Sequence, residues 1–146
     1  MANFDIAYKR TVSSEGGYGN HPNDKGGETY MGISRRAHPD SKIWEIIDKV
    51  DKKGKTNKQI SAELKKNTWL THYVKEIYKK DYWNKFELDK VKYQRVANEI
   101  FDDAVNRGIG AAAYLCCLIL GITPQKKITK ELLEKLQRYH PGSSPC

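Results

Sequence analysis

Residues 14–33 read SEGGYGNHPNDKGGETYMGI. Three carboxylates, Glu15, Asp24 and Glu28, fall within this one stretch, among glycines and turn-forming residues. Glycine has no Cβ, so the backbone here can turn sharply and come close to a ligand. Upstream, Phe4, Tyr8, Thr11, Val12 and Glu15 recur at the spacing of one helical face. That spacing predicts a helix over 2–14, with Glu15 at its end on the apolar side. Gly16-Gly17 would stop it. The Gly, Asn, Asp and Pro content of 16–32 predicts turns and a short β-hairpin.

The placement suggests acid–base work. Hydrolysis of a glycosidic bond needs a proton donor beside the leaving oxygen and, usually, a second carboxylate that activates water or stabilises the cation. A carboxyl on an apolar helix face is partly desolvated, which favours its protonated form. Glu15 suits the donor by position. Asp24 sits in a polar turn, where a carboxylate stays ionised. Glu28 is the alternative second carboxylate, or a loop charge that contacts Arg35 or Arg36. Tyr18 and Tyr30 flank the stretch and could stack on sugar rings. Trp69, Tyr73, Tyr82 and Trp83 share that chemistry, although Tyr82 and Trp83 suit a core better.

Working outward, the remaining pattern is helical. Ile33–Ala37 reads as a helical turn ended before Pro39. A short helix over 41–50 carries Ile43, Trp44 and Ile47, and a polar loop covers 51–58. Helices follow at 61–66, 70–83 and 92–107. The segment 109–120 is almost wholly apolar and reads as a helix in the middle of the core. Thr129 is a candidate N-cap for a last helix over 130–139, and the tail PGSSPC should be loose. The expected fold class is mainly α, with a small β-hairpin region near the N-terminus.

Composition narrows the function classes. The chain has 146 residues and a formal net charge of +8, enough for one core and suited to a polyanionic partner. Its lysines are scattered, and no helix shows a concentrated basic face, so a specific nucleic-acid site is not expected. No apolar run reaches membrane-spanning length, and the N-terminus lacks a signal-peptide core. Three cysteines, Cys116, Cys117 and Cys146, form neither a disulfide framework nor a metal pattern, as expected of a chain made in a reducing cytoplasm. His38, His72 and His140 show no metal-ligand spacing.

Glu15 and Asp24 are separated by eight residues, and Thr29 follows after four more. This resembles the Glu-x8-Asp-x5-Thr pattern of phage lysozymes, with the threonine one residue early. The fuller string Glu15-Gly16-Gly17-Tyr18, Asn23-Asp24, Gly26-Gly27-Glu28-Thr29 and Gly32-Ile33-Ser34 resembles the signature of glycoside hydrolase family 108, a family of bacterial and phage N-acetylmuramidases. Ile77-Tyr78 with Asp81-Tyr82-Trp83 resemble its second landmark. Phe101-Asp102, Ala104-Val105-Asn106 and Gly108 resemble its third.

The resemblance implies a lysozyme-like helical fold. It divides the chain into a catalytic region, 1–88, and a helical C-terminal region, 89–146, similar to a shortened peptidoglycan-binding half. It implies cleavage of the β-1,4 bond between N-acetylmuramic acid and N-acetylglucosamine. Glu15 would be the general acid, with Asp24, or alternatively Glu28, as the second carboxylate. Tyr18, Thr29, Tyr30 and Asn106 are the candidate substrate contacts, although Asn106 could equally cap backbone groups. No metal and no organic cofactor is implied. The partner is the glycan strand of peptidoglycan, reached after holin-type or other export; oligomeric state is left open. A catalytically silent wall-binding or secretion-assisting protein of the same fold is the alternative.

Overall fold

The computed structural model describes residues 1–13, 16–20 and 27–141. Glu15, Asp24, His21 and Cys146 lie outside the described residues. The fold is mainly α, with one small antiparallel sheet. The elements run α1 (Phe4–Val12), β1 (Tyr18–Asn20), β2 (Glu28–Tyr30), β3 (Ile33–Ser34), α2 (Lys42–Asp48), α3 (Asn57–Leu64) and α4 (Thr68–Tyr78). A π turn (Lys79–Trp83) and two 3-10 turns (Asn84–Phe86, Leu88–Lys90) lead to α5 (Gln94–Arg107), α6 (Ile109–Leu120) and α7 (Lys130–Arg138). Contacts divide the chain into two compact units, Val12–Ile77 and Met1–Thr11 with Tyr78–Cys146.

In the unit formed by Val12–Ile77, local signals place each helix. The Ser41 side chain accepts from the Ile43 N–H and starts α2. Thr56 and Gln59 form a reciprocal capping box that starts α3, four residues before the expected start at 61. Asn67 Oδ1 accepts from the Leu70 N–H at 2.9 Å and caps α4. The inward faces carry Ile43, Trp44 and Ile47 on α2, Ile60 and Leu64 on α3, and Leu70 and Val74 on α4, all buried.

The helical turn expected at Ile33–Ala37 starts later: it is a single turn closed by the His38 N–H donating to the Ser34 carbonyl at 3.0 Å. Ile33-Ser34 is a strand, because Met31 and Gly32 both take positive φ, 50° and 80°. Two such residues between paired Tyr30 and Ile33 make a tight two-residue hairpin loop of the I′ kind. The tight loop returns the chain beside β2, so the helical turn begins only after this short strand.

The other unit is built around an aromatic cluster. The Phe4 ring meets Trp83 at 5.5 Å and Phe101 at 5.8 Å, both edge-on, and Trp83 meets Phe101 at 5.9 Å. Edge-to-face pairs at these distances satisfy the ring quadrupoles. The Trp83 indole N–H, which burial would otherwise strand, donates to Asp89 at 2.7 Å. Asn3 and Gln94 exchange hydrogen bonds, at 2.6 and 3.0 Å, and tie the N-terminus to the start of α5. The small residues Ala112, Ala113, Cys116 and Cys117 form the buried face of α6. At Gly110 a Cβ would lie 3.1 Å from the Lys126 carbonyl oxygen, tight enough that this neighbour would have to give. Thr129 caps α7, accepting from the Leu132 N–H at 3.1 Å, and Leu132 and Leu136 pack inward.

One expectation about α6 needs correcting. The helix is apolar all round, but only one face is covered. Tyr114, Leu118 and Ile119 are exposed, Leu118 by 55%. Apolar composition alone does not say which face a neighbour covers.

Truncating the ring at the centre of the aromatic cluster, Phe101→Ala, should cost about 3–5 kcal/mol in urea unfolding. Thr129→Ala, which removes only a cap, should cost about 1 kcal/mol.

Candidate active site

The sheet sets the frame. Its register pairs Tyr18 with Tyr30, Gly19 with Thr29, and Asn20 with Glu28, then Thr29 with Ser34 and Tyr30 with Ile33. Side chains alternate across a sheet, so Tyr18, Tyr30 and Ile33 share one face and Thr29, Ser34 and Gly19 the other. The first face is buried: Tyr18 is 6% exposed, and Tyr30 and Ile33 are each 3% exposed. Thr29 and Ser34 are half-buried.

The turn entering β1 is held by α3. At Gly17 a Cβ would overlap the Ser61 side chain, meeting its Oγ and lying 2.6 Å from its Cβ. Only glycine lets β1 and α3 approach this closely. The same serine closes the contact chemically. Its Oγ accepts from the Tyr18 N–H at 2.8 Å and donates to the Asn57 carbonyl at 2.7 Å. Gly16, one residue back, has open space where a side chain would stand. Of the two glycines after Glu15, one is a packing seat and the other leaves the backbone open.

Glu28 is gripped on both oxygens. The Tyr18 hydroxyl donates to one at 2.6 Å, and Arg35 Nη1 donates to the other at 2.7 Å. Arg35 also forms a two-pronged pair with Asp48, at 2.8 and 2.7 Å. Its guanidinium lies 5.3 Å from the centre of the Trp44 ring. The guanidinium holds the Asp48 carboxyl below its usual range and is itself held firmly protonated. Burial, then the bond to Glu28, push the Tyr18 hydroxyl up to about 12. Burial also raises Tyr30. Lys52 donates to the Ile47 and Val50 carbonyls at 2.6 and 3.0 Å, capping the end of α2. Its ammonium lies 5.8 Å from the centre of the Tyr18 ring.

The structure brings Tyr18, Glu28, Thr29 and Tyr30 onto one small sheet. Glu15 and Asp24 belong to the same stretch of chain but lie outside the described residues. The contact expected between Glu28 and Arg35 is present. The Tyr18 and Tyr30 rings are buried rather than offered as open stacking faces. Asn106, at the end of α5 in the other unit, donates its amide to the Asp102 carbonyl at 2.9 Å, and the neighbouring Asp103 pairs with Arg107 at 2.7 Å. Sequence reasoning missed Asp48, Lys52 and Ser61, which join the hairpin across long chain separations. Among the described residues, no three His, Cys, Asp or Glu side chains could hold a metal ion. No helix there is long and apolar enough to cross a membrane.

Against known proteins, the glycosyl hydrolase 108 family profile matches residues 8–108. The structure is similar to that of Brucella abortus SagA, at 29% sequence identity and a TM-score of 0.59, over 94% of this chain and 70% of that one. A comparison with curated protein sequences finds no match.

Gly17→Ala should lower stability by about 1–3 kcal/mol through overpacking. Ser61→Gly alone should also destabilise, because it frees the Tyr18 N–H and places glycine inside α3, but the double variant should lose less than the sum of the two, giving a coupling of about 1 kcal/mol or more in a double-mutant cycle by urea unfolding. Simple additivity would mean that the two positions do not press on each other.

The charge brace predicts a pH dependence. Asp48 is lowered in the folded state, so its contribution is present above its unfolded value near 3.8 and is lost as pH falls through the folded value. The stability gap between the native protein and Arg35→Met should be open at neutral pH and should narrow below about pH 4. Chemical unfolding at a series of pH values measures it.

Proposed function

The chain belongs to the glycosyl hydrolase 108 family, and from that premise we propose that it cleaves the β-1,4 bond between N-acetylmuramic acid and N-acetylglucosamine in peptidoglycan. One observation carries the reading. The family match spans the stretch holding Glu15, and the backbone two residues beyond Glu15 is clamped by the Gly17–Ser61 seat. A general acid must be held in one place relative to the leaving oxygen, and a rigid anchor beside it serves that need.

In this reading Glu15 protonates the glycosidic oxygen. Asp24, in the polar turn, stabilises the developing cation or positions water. Glu28 remains the alternative for that second role, but its two oxygens already accept from Tyr18 and Arg35. We therefore assign it to bracing the hairpin. Tyr18 and Tyr30 support the hairpin from its buried face. Thr29, on the opposite face, is the residue best placed to meet substrate. Asn106 is assigned to its own helix, through the bond to the Asp102 carbonyl. The C-terminal region contributes to holding the wall, and the protein acts there after holin-type or other export.

The test pairs the native protein with Glu15→Gln on purified sacculi, with products read by mass spectrometry after borohydride reduction. The native protein should release fragments ending in reduced muramic acid. The variant, shown folded by circular dichroism, should be slower by about 10²–10⁴-fold. Equal release by both would remove Glu15 from the mechanism. Release by neither would favour a wall-binding relative that has lost the chemistry.

A further inference from the structure

Two of the three tryptophans, Trp44 and Trp83, are buried, whereas Trp69 is 65% exposed. It stands near the start of α4, one residue before the inward-facing Leu70. Tyr73 follows one turn later on the same helical face, and the two rings lie nearly parallel, with centres 6.1 Å apart and planes 29° apart. The His72 ring meets Trp69 edge-on at 5.9 Å, and Lys42 stands 5.6 Å from the Tyr73 ring centre. The indole is thus propped by its neighbours while most of its surface stays in water.

This pair borders a hollow of about 340 Å³ whose rim carries Lys42, Glu45, Lys49 and Asn67. The hollow shares Ile46, Lys49 and Asn67 with a second one of about 520 Å³, so the two adjoin beside α2. None of these residues belongs to the Gly17–Ser61 seat or to the Glu28 brace.

We propose that the Trp69–Tyr73 platform and its groove form a second glycan-binding site, which takes the pyranose rings of the wall polymer. The proposal rests on the muramidase reading for the identity of the polymer. Flat aromatic faces receive the C–H face of a sugar ring, while the surrounding amide, amine and carboxylate groups meet its hydroxyls and acetamido groups. A peptide partner anchored by apolar side chains would call for a deeper and less charged groove. At the aromatic end Lys42 and Lys49 outnumber Glu45, which suits an anionic strand, whose charge lies on the lactyl carboxylates of peptide-free muramic acid and on the stem-peptide carboxylates of intact wall. Two adjoining hollows suit a polymer of several rings. A second grip on the same strand would raise the local concentration of scissile bonds.

The platform supplies its own reporter. With Trp44 and Trp83 buried, a ligand on the groove must act on the emission of Trp69. Peptide-free glycan strands prepared from purified sacculi are titrated into the Glu15→Gln protein, so that nothing is cleaved. A saturable blue shift is expected, absent in Glu15→Gln/Trp69→Phe. Retention on sacculi should fall about tenfold in Glu15→Gln/Trp69→Ala, the change expected from losing one good aromatic contact. Because Trp69 is exposed, its replacement should leave the urea midpoint unchanged, and that is checked on both variants. A silent Trp69 with undiminished retention overturns the proposal. So does a shift produced by phosphatidylglycerol vesicles and not by glycan, which would make the platform a membrane contact. If the native protein releases no reducing ends and Trp69 still responds to glycan, the binding site stands and the cleavage reading falls.

Discussion

The closeness of β1 to α3 at Gly17 is the constraint on which the hairpin region depends. Without a Cβ at that position, Ser61 sits directly against the strand and satisfies the Tyr18 N–H that would otherwise be buried unpaired. From Tyr18 the order spreads across the sheet: its ring is buried, its hydroxyl reaches Glu28, and Glu28 reaches Arg35. A larger residue at 17 would push the strand and the helix apart, and every later bond in that chain would lengthen.

The charge relay from Glu28 through Arg35 to Asp48 extends this order onto α2. Hydrogen bonds between ionised groups are stronger and more directional than neutral ones, and a guanidinium held by two carboxylates and lying near Trp44 has little freedom left. Lys52 adds a further tie, at once closing the carbonyls at the end of α2 and lying near the Tyr18 ring. Hairpin, α2 and α3 are therefore fixed to one another by polar contacts as well as by packing. In the reading proposed for Glu15, this fixed frame lies beside the chain that carries it, and positional precision is what proton transfer asks of a protein.

Much of this was readable from the chain, wherever the signal was local. Gly108 and Gly121 bracket α6, with φ of 98° and 71°, and the Thr129 cap is a matter of three residues. The family signature, too, is a string of near neighbours. What escaped was long-range or chemically disguised. Ser61 meets Tyr18 from 43 positions away, and nothing in its own surroundings marks it. Asp48 and Lys52 look like ordinary surface charges until the fold turns them toward Arg35 and Tyr18. The second hairpin loop is Met-Gly rather than the more familiar Asn-Gly, so its positive φ values carried little warning. The early start of α3 was legible, since Thr56 and Gln59 have capping-box spacing, but the polar composition of 51–58 outweighed it. The exposed face of α6 has no sequence signature, because burial depends on what lies opposite.

The π turn after α4 has a consequence of a different kind. Tyr78 and Trp83, five positions apart, are both buried, while Tyr82, which α-helical spacing would turn inward with Tyr78, stays half-exposed. A π turn is an α-helix with one residue to spare. Deleting one residue between 79 and 82 would restore α-helical spacing and still deliver Trp83 to the cluster with Phe4 and Phe101. Length variation of one residue should thus be tolerated at this point of the chain and poorly tolerated in α5, where Ala97, Ile100, Phe101 and Ala104 must all face inward together.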